Sequence, residues 1–289
     1  TIVSGSDDKT LRVWDVDSMK QKACLKGHSD AVESVAISGD GKTAVSGSRD
    51  KTLRMWDLGS MTPKACLGGH SDWVYSVVIS GDGKTAVSGS DDKTLRVWDL
   101  GSMKQKACRK GQSDLVRSVA ISGDGKTAVS GSWDKTLRVW DLGSMTQKAC
   151  LGGHQDQVWS VAISGDGKTA VSGSRDWTLR VWDLGSMKQK ACLRCHIDAV
   201  YSVVISGDGK TAVSGSADTT LRVWDLGSMT EKACLQGHSS AVESVAISED
   251  GKTAVSGSSD ATLRVWDLES MEEKACLRGH SRSVSSVSL

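Results

Sequence analysis

Apolar and polar residues change places along this chain in short bursts, never in long waves. Val32 to Ser38 (VESVAIS) is an apolar run rich in β-branched residues and predicts a strand, a. Gly39-Asp40-Gly41-Lys42 predicts a turn, and Thr43 to Ser48 (TAVSGS) a second strand, b. Arg49-Asp50-Lys51 reads as a tight turn into strand c, Thr52 to Leu58 (TLRMWDL). Gly59-Ser60-Met61 turns the chain again into strand d, Lys64 to Leu67 (KACL), and Gly69-His70 leads to the next strand a. No segment sustains a 3.6-residue period, so no helix is expected.

The pattern recurs. The stretch Ser46-Gly47-Ser48-Arg49-Asp50-Lys51-Thr52-Leu53-Arg54-Met55-Trp56-Asp57 returns almost letter for letter. Its tryptophan falls at Trp14, Trp56, Trp98, Trp140, Trp182, Trp224 and Trp266, each 42 residues after the last. A period of this length closing on Trp-Asp is the mark of a four-stranded blade, which cannot bury its faces alone. The expected fold is all-β: a seven-bladed β-propeller of four-stranded antiparallel blades. The ends fit a ring. Thr1-Ile2-Val3-Ser4 aligns with strand b and Val284 to Leu289 with strand a, and the chain is one a–b turn short of seven full periods. The C-terminal strand should therefore complete the N-terminal blade. A single domain, 1–289, would comprise a closing blade from 1–27 plus 281–289 and six complete blades between about 28 and 280. An open solenoid would leave apolar faces uncovered, whereas closure leaves only short outer edges.

Gly-His, then Val-x-Ser-Val-x-Ile-Ser, Gly-Asp-Gly and Ser-Gly-Ser-x-Asp-x-Thr-Leu-Arg-Val-Trp-Asp resemble the WD-repeat β-propellers, over the whole chain and seven times. Two departures are uniform. Ile37 and its copies stand where that family commonly has Phe, and Gly39 and most of its copies where it commonly has Pro; the chain has no Phe. The resemblance implies a buried hydrogen-bonded set in each blade. It would comprise His28, Ser46, Asp50 and Trp56, then His70, Ser88, Asp92 and Trp98, and, across the two ends, His280 with Ser4, Asp8 and Trp14. A neutral imidazole donates on one nitrogen and accepts on the other, a carboxylate accepts and an indole donates, so such a chain can be fully satisfied. One blade departs, with Gln112 beside Ser130, Asp134 and Trp140, and is expected to be locally weaker. The near-identity of the copies also resembles the amplified propellers of some multidomain immune-type sensors.

A net charge of +1 gives no pull toward nucleic acid or acidic lipid. No apolar run approaches the roughly 18 residues that cross a bilayer. There is no charged-then-apolar leader, and Thr1 is not a Met, so an internal fragment of a cytoplasmic, monomeric protein is expected. Seven of the eight cysteines (Cys24, Cys66, Cys108, Cys150, Cys192, Cys234 and Cys276) occupy one repeat position and read as small apolar strand residues, reduced and unpaired. Ser, His and Asp in one blade suggest a hydrolase triad, but the trio recurs six times and no Gly-x-Ser-x-Gly elbow accompanies it. Gly41-Lys42-Thr43 mimics the end of a phosphate loop, with Ala36 where that loop needs Gly. Cys192-Leu193-Arg194-Cys195-His196 mimics a haem attachment site, and one Cys-x₃-His pair per blade is too few ligands for zinc. The expectation is a non-enzyme without metal or cofactor.

The repeats differ mainly around the d–a and b–c turns, which a meander places on one face. The a–b turn is nearly constant, Glu249 being an exception. Just before the strand-a Val stand Ala31, Trp73, Leu115, Gln157, Ala199, Ala241 and Ser283; just after it, Glu33, Tyr75, Arg117, Trp159, Tyr201, Glu243 and Ser285. Trp133 and Arg175 precede the b–c Asp, and Trp177 follows it. Every Trp outside the Trp-Asp pairs, and both Tyr, fall in these columns on four consecutive blades. Trp73, Tyr75, Arg117, Trp133, Trp159, Arg175, Trp177 and Tyr201 thus form an expected binding arc, with Arg117 and Arg175 among the rings. The expected partner is a protein or peptide. The alternatives are a structural or designed propeller with no ligand, and a carbohydrate-binding propeller that stacks rings on sugars.

Overall fold

A computed structural model describes residues 1–289 except Cys195 and Glu249. The haem-like reading of Cys195 and the turn exception at Glu249 fall outside the described residues. The chain forms seven four-stranded antiparallel sheets arranged as the blades of a ring. In blade 2 the strands are Val32–Ile37, Thr43–Ser48, Leu53–Asp57 and Thr62–Leu67, ordered a-b-c-d from the axis outward. Blades 3 to 7 repeat this, beginning at Val74, Val116, Val158, Val200 and Val242. Blade 1 joins the two ends: Val284–Ser288 supplies its strand a and pairs with Ile2–Ser6, with Ser4 opposite Val287. Strand d starts earlier than the Lys64 boundary, because a β-bulge between Met55 and Trp56 takes up an extra residue.

The core lies between blades rather than within them. Val45, Leu53 and Met55 of blade 2 pack on Val74, Val77, Ala86 and Trp98 of blade 3, and the other seams repeat the arrangement. Strand b carries Gly at the closest approach. A Cβ on Gly131 would stand 2.7 Å from Val158 Cγ1 and 2.9 Å from Val161 Cγ1, so only Gly lets the next blade dock this closely. Around the axis, one serine hydroxyl per strand a accepts from a backbone N–H of the next blade. The series runs Ser34 to Val77, Ser76 to Val119, Ser118 to Val161, Ser160 to Val203, Ser202 to Val245 and Ser244 to Val287. It closes through Ser286 to Val35, all at 2.9–3.1 Å.

The seven repeat cysteines are strand residues and free, as expected, but they are less buried than small apolar residues usually are. These seven lie on the outermost strand, partly or largely exposed, with Cys66 opposite Arg54.

Each strand a also bulges, between Val32 and Ser34 in blade 2 and at equivalent places elsewhere. The bulged residue is the variable one after the Val. It is thereby released from the ladder, and in every blade except that of Tyr201 it lines the mouth of the axial channel on the d–a/b–c face.

Candidate functional site

The buried sets shape this face. Trp56 Nε1 donates to Ser46 Oγ at 2.9 Å, and Ser46 Oγ lies 2.7 Å from His28 Nε2. His28 Nδ1 lies 2.7 Å from Asp50, which also accepts from the amide of Ser29 and from the amide and hydroxyl of Thr52. Because the Asp50 carboxylate only accepts, the neutral imidazole carries its proton on Nδ1, and Nε2 then accepts from the Ser46 hydroxyl. The same chain links Trp98, Ser88, His70 and Asp92, and across the termini Trp14, Ser4, His280 and Asp8. It recurs around His154, His196 and His238. Spatially this is the order of a hydrolase triad, but Ser46 is fully buried and its oxygen is occupied by the indole. What the set does is fasten the d–a turn to the b–c turn. A backbone bond adds to this, Arg49 N to Ala31 O at 3.0 Å in blade 2.

Burial depresses the imidazoles of His70, His154, His238 and His280 below the ordinary 6.5, outweighing the opposing pull of their aspartates. Burial pulls the other way on Asp50, Asp92, Asp176 and Asp218, but hydrogen bonds from the His and the following Thr hold them well below the usual range. Asp260 is held at about 2 by the same balance, its Thr262 bond outranking that from His238.

The Gln112 blade is rewired rather than broken. Gln112 Nε2 donates to Ser130 at 2.7 Å, and its Oε1 accepts from Arg138 Nε at 2.9 Å; Arg138 also reaches Asp134 at 3.4 Å. Among the described residues, the equivalent Arg Nε in blades 1, 2, 5, 6 and 7 has no acceptor.

On the outer side of these fastened turns stand the variable residues. Trp73 and Tyr75 meet edge to face, with centroids 6.1 Å apart. Trp159 sits 5.9 Å from Trp133 and 4.7 Å from Tyr201. The guanidinium of Arg117 lies between two rings, 4.7 Å from Tyr75 and 5.0 Å from Trp159. The rings shield one another and are half-buried; Trp177 alone among them is mostly exposed, at 53%. Arg175 is exposed and is not brought among the rings. A second guanidinium does stack on the arc, that of Arg49, 4.9 Å over Trp73, which the sequence reading left outside it.

The arc borders a cavity of about 340 Å³ at the channel mouth, lined by Tyr75, Arg117, Trp133 and Trp159 on one side. Asp7, Glu33, Arg49, Glu243 and the hydroxyls of Ser259, Ser283 and Ser285 complete the other side. Burial pushes the hydroxyl of Tyr75 up to about 12. A second feature was missed. Lys9, Lys51, Lys93 and Lys135 each cross to a backbone carbonyl in the next d–a turn, at 2.8–3.1 Å. Trp177 replaces that Lys, and the turn residue it would meet is Ile197, 75% exposed. The signal was a lone Ile in a column that is otherwise Ser or Gln.

Among the described residues no group of three or more His, Cys, Asp or Glu is gathered as a metal site. Among the same residues no helix is long and apolar enough to cross a membrane. A search of curated proteins returns no match. The WD domain, G-beta repeat family matches residues 1–15, 19–57, 61–99, 103–141, 145–183, 187–225 and 229–267. Such propellers are generally non-catalytic scaffolds that bind proteins or peptides. Seven matches tiling the ring, each ending on a Trp-Asp pair held by its buried set, make this chain a member of the WD-repeat (WD40) family.

Proposed function

We propose that the chain is a non-catalytic scaffold that holds a protein or peptide on the d–a/b–c face, against Trp73, Tyr75, Arg117, Trp133, Trp159, Arg175, Trp177 and Tyr201. The observation that carries this is the continuity of the arc. Six of these side chains, Trp73, Tyr75, Arg117, Trp159, Trp133 and Tyr201, touch in succession beside a cavity on one face of the disc, and Arg175 and Trp177 stand exposed at its edge. Aromatic and arginine side chains that are already ordered lose little entropy on binding, which is what binding hot spots require. The Ser-His-Asp sets support the non-catalytic reading, since their hydroxyls are sealed in the blades.

The test is a displayed random-peptide library panned on the immobilised protein. Selected peptides are then offered to a variant carrying W73A, Y75A, W159A and W177A. Loss of at least tenfold in affinity with a melting temperature lowered by only a few degrees supports the reading. Peptides that bind the variant undiminished refute it.

A further inference from the structure

The cavity at the channel mouth is lopsided in charge. Three carboxylates, of Asp7, Glu33 and Glu243, line it against two guanidinium groups, of Arg49 and Arg117. Both arginines are turned to one carboxylate: Arg49 Nε is 2.5 Å from Glu33 Oε1, and Arg117 Nη1 is 3.9 Å from Oε2. Among the described residues, neither Asp7 nor Glu243 has a lysine or arginine within ion-pair distance. Their side-chain partners are hydroxyls, Ser285 to Asp7 at 3.3 Å and Ser259 to Glu243 at 2.6 Å. A partly buried carboxylate without a counter-charge is unfavourable. Burial accordingly pushes the Glu243 carboxyl up, against the pull of Ser259 and Arg117.

The opposite wall shows what kind of cation it tolerates. It already holds one guanidinium, that of Arg117, between Tyr75 and Trp159. Ring faces attract such a flat, weakly hydrated cation. The mouth therefore offers two unpaired carboxylates facing an aromatic wall, in a space of about 340 Å³.

We propose that this mouth receives the guanidinium of an arginine presented by the bound peptide, forked onto Glu243 and Asp7 with its plane against the Trp159 side of the wall. The inference rests on the reading of this face as a peptide-binding surface and names the residue that surface selects. Arginine is favoured over lysine because its planar fork can serve two carboxylates while its face stacks. An apolar or acidic side chain would leave both carboxylates unpaired.

The test uses the whole chain with ¹⁵N-labelled tryptophan indoles and a defined probe, N-acetyl-L-arginine N-methylamide. The lysine, norleucine and glutamate amides run beside it. The arginine amide is expected to shift the Trp133 and Trp159 indole signals saturably, with a Kd in the range of about 1 mM. The D7N/E243Q pair should weaken that binding at least tenfold at an unchanged melting temperature. If the pair melts low, E243Q alone is used and a loss of at least threefold is expected. Equal shifts by the norleucine or lysine amide, or arginine binding indifferent to these substitutions, would overturn the proposal. Library-selected peptides separate this from the broader reading. Peptides that need the aromatic arc but bind D7N/E243Q undiminished refute the arginine pocket and leave the surface standing. Peptides indifferent to the arc refute the surface itself.

Discussion

Ser46 shows how much one hydroxyl can hold. It is fully buried, accepts from Trp56 and donates to His28. Ser46→Ala leaves an indole N–H and an imidazole nitrogen unpaired, each costing about 1–3 kcal/mol. We expect a total loss of about 2–4 kcal/mol by urea unfolding, and a loss under 1 kcal/mol would contradict the assigned bonds. The histidines set the pH response. His70, His154, His238 and His280 have native pKa values below 6.5, so the unfolded chain takes up protons first as pH falls. Their contribution is complete above about pH 6.5 and is lost below it. The low aspartates add a second loss, beginning as pH falls below their unfolded value of 3.8. The urea midpoint should be flat from pH 8 to 7 and fall steadily from 6.5 to 5. Gln112 gives the control: Gln112→His restores the imidazole and should make unfolding more acid-sensitive than in the parent chain.

Strands and turns were legible because the sequence states them seven times over, and errors in one copy are corrected by the next. What stayed illegible was local geometry that repetition cannot reveal. The bulge at Glu33 depends on how strand a meets strand b, and it decides that Glu33, Tyr75 and Glu243 face the channel mouth. Arg49 over Trp73 is a contact between neighbouring blades, invisible while blades are read one at a time. The columns did locate the aromatic face, since composition alone separates it from its opposite. At this scale the docking of blades can be tested at Gly131, where an added Cβ would meet Val158 at 2.7 Å. Gly131→Ala is expected to cost about 1–3 kcal/mol by overpacking. Gly152→Ala meets nothing within 4 Å and should be neutral within about 0.5 kcal/mol. Equal effects at the two sites, measured by thermal melting, would show that the seam is looser than described.

The molecule as a whole is held by closure. Val284–Ser288 completes a sheet and supplies two links of the serine ring, Ser286 to Val35 and Ser244 to Val287. Removing residues 284–289 should lower the melting temperature by more than about 10 °C, taking several kcal/mol at roughly 2–4 °C each. A smaller shift would mean that the ends contribute little. The serine ring carries one more consequence. Each link joins a blade to its successor in the same way, including the pair that spans the two termini, so the backbone has no privileged starting point. A chain permuted to begin at any a–b turn should build the same disc, and only the side chains around its mouth would tell an observer which way it is turned.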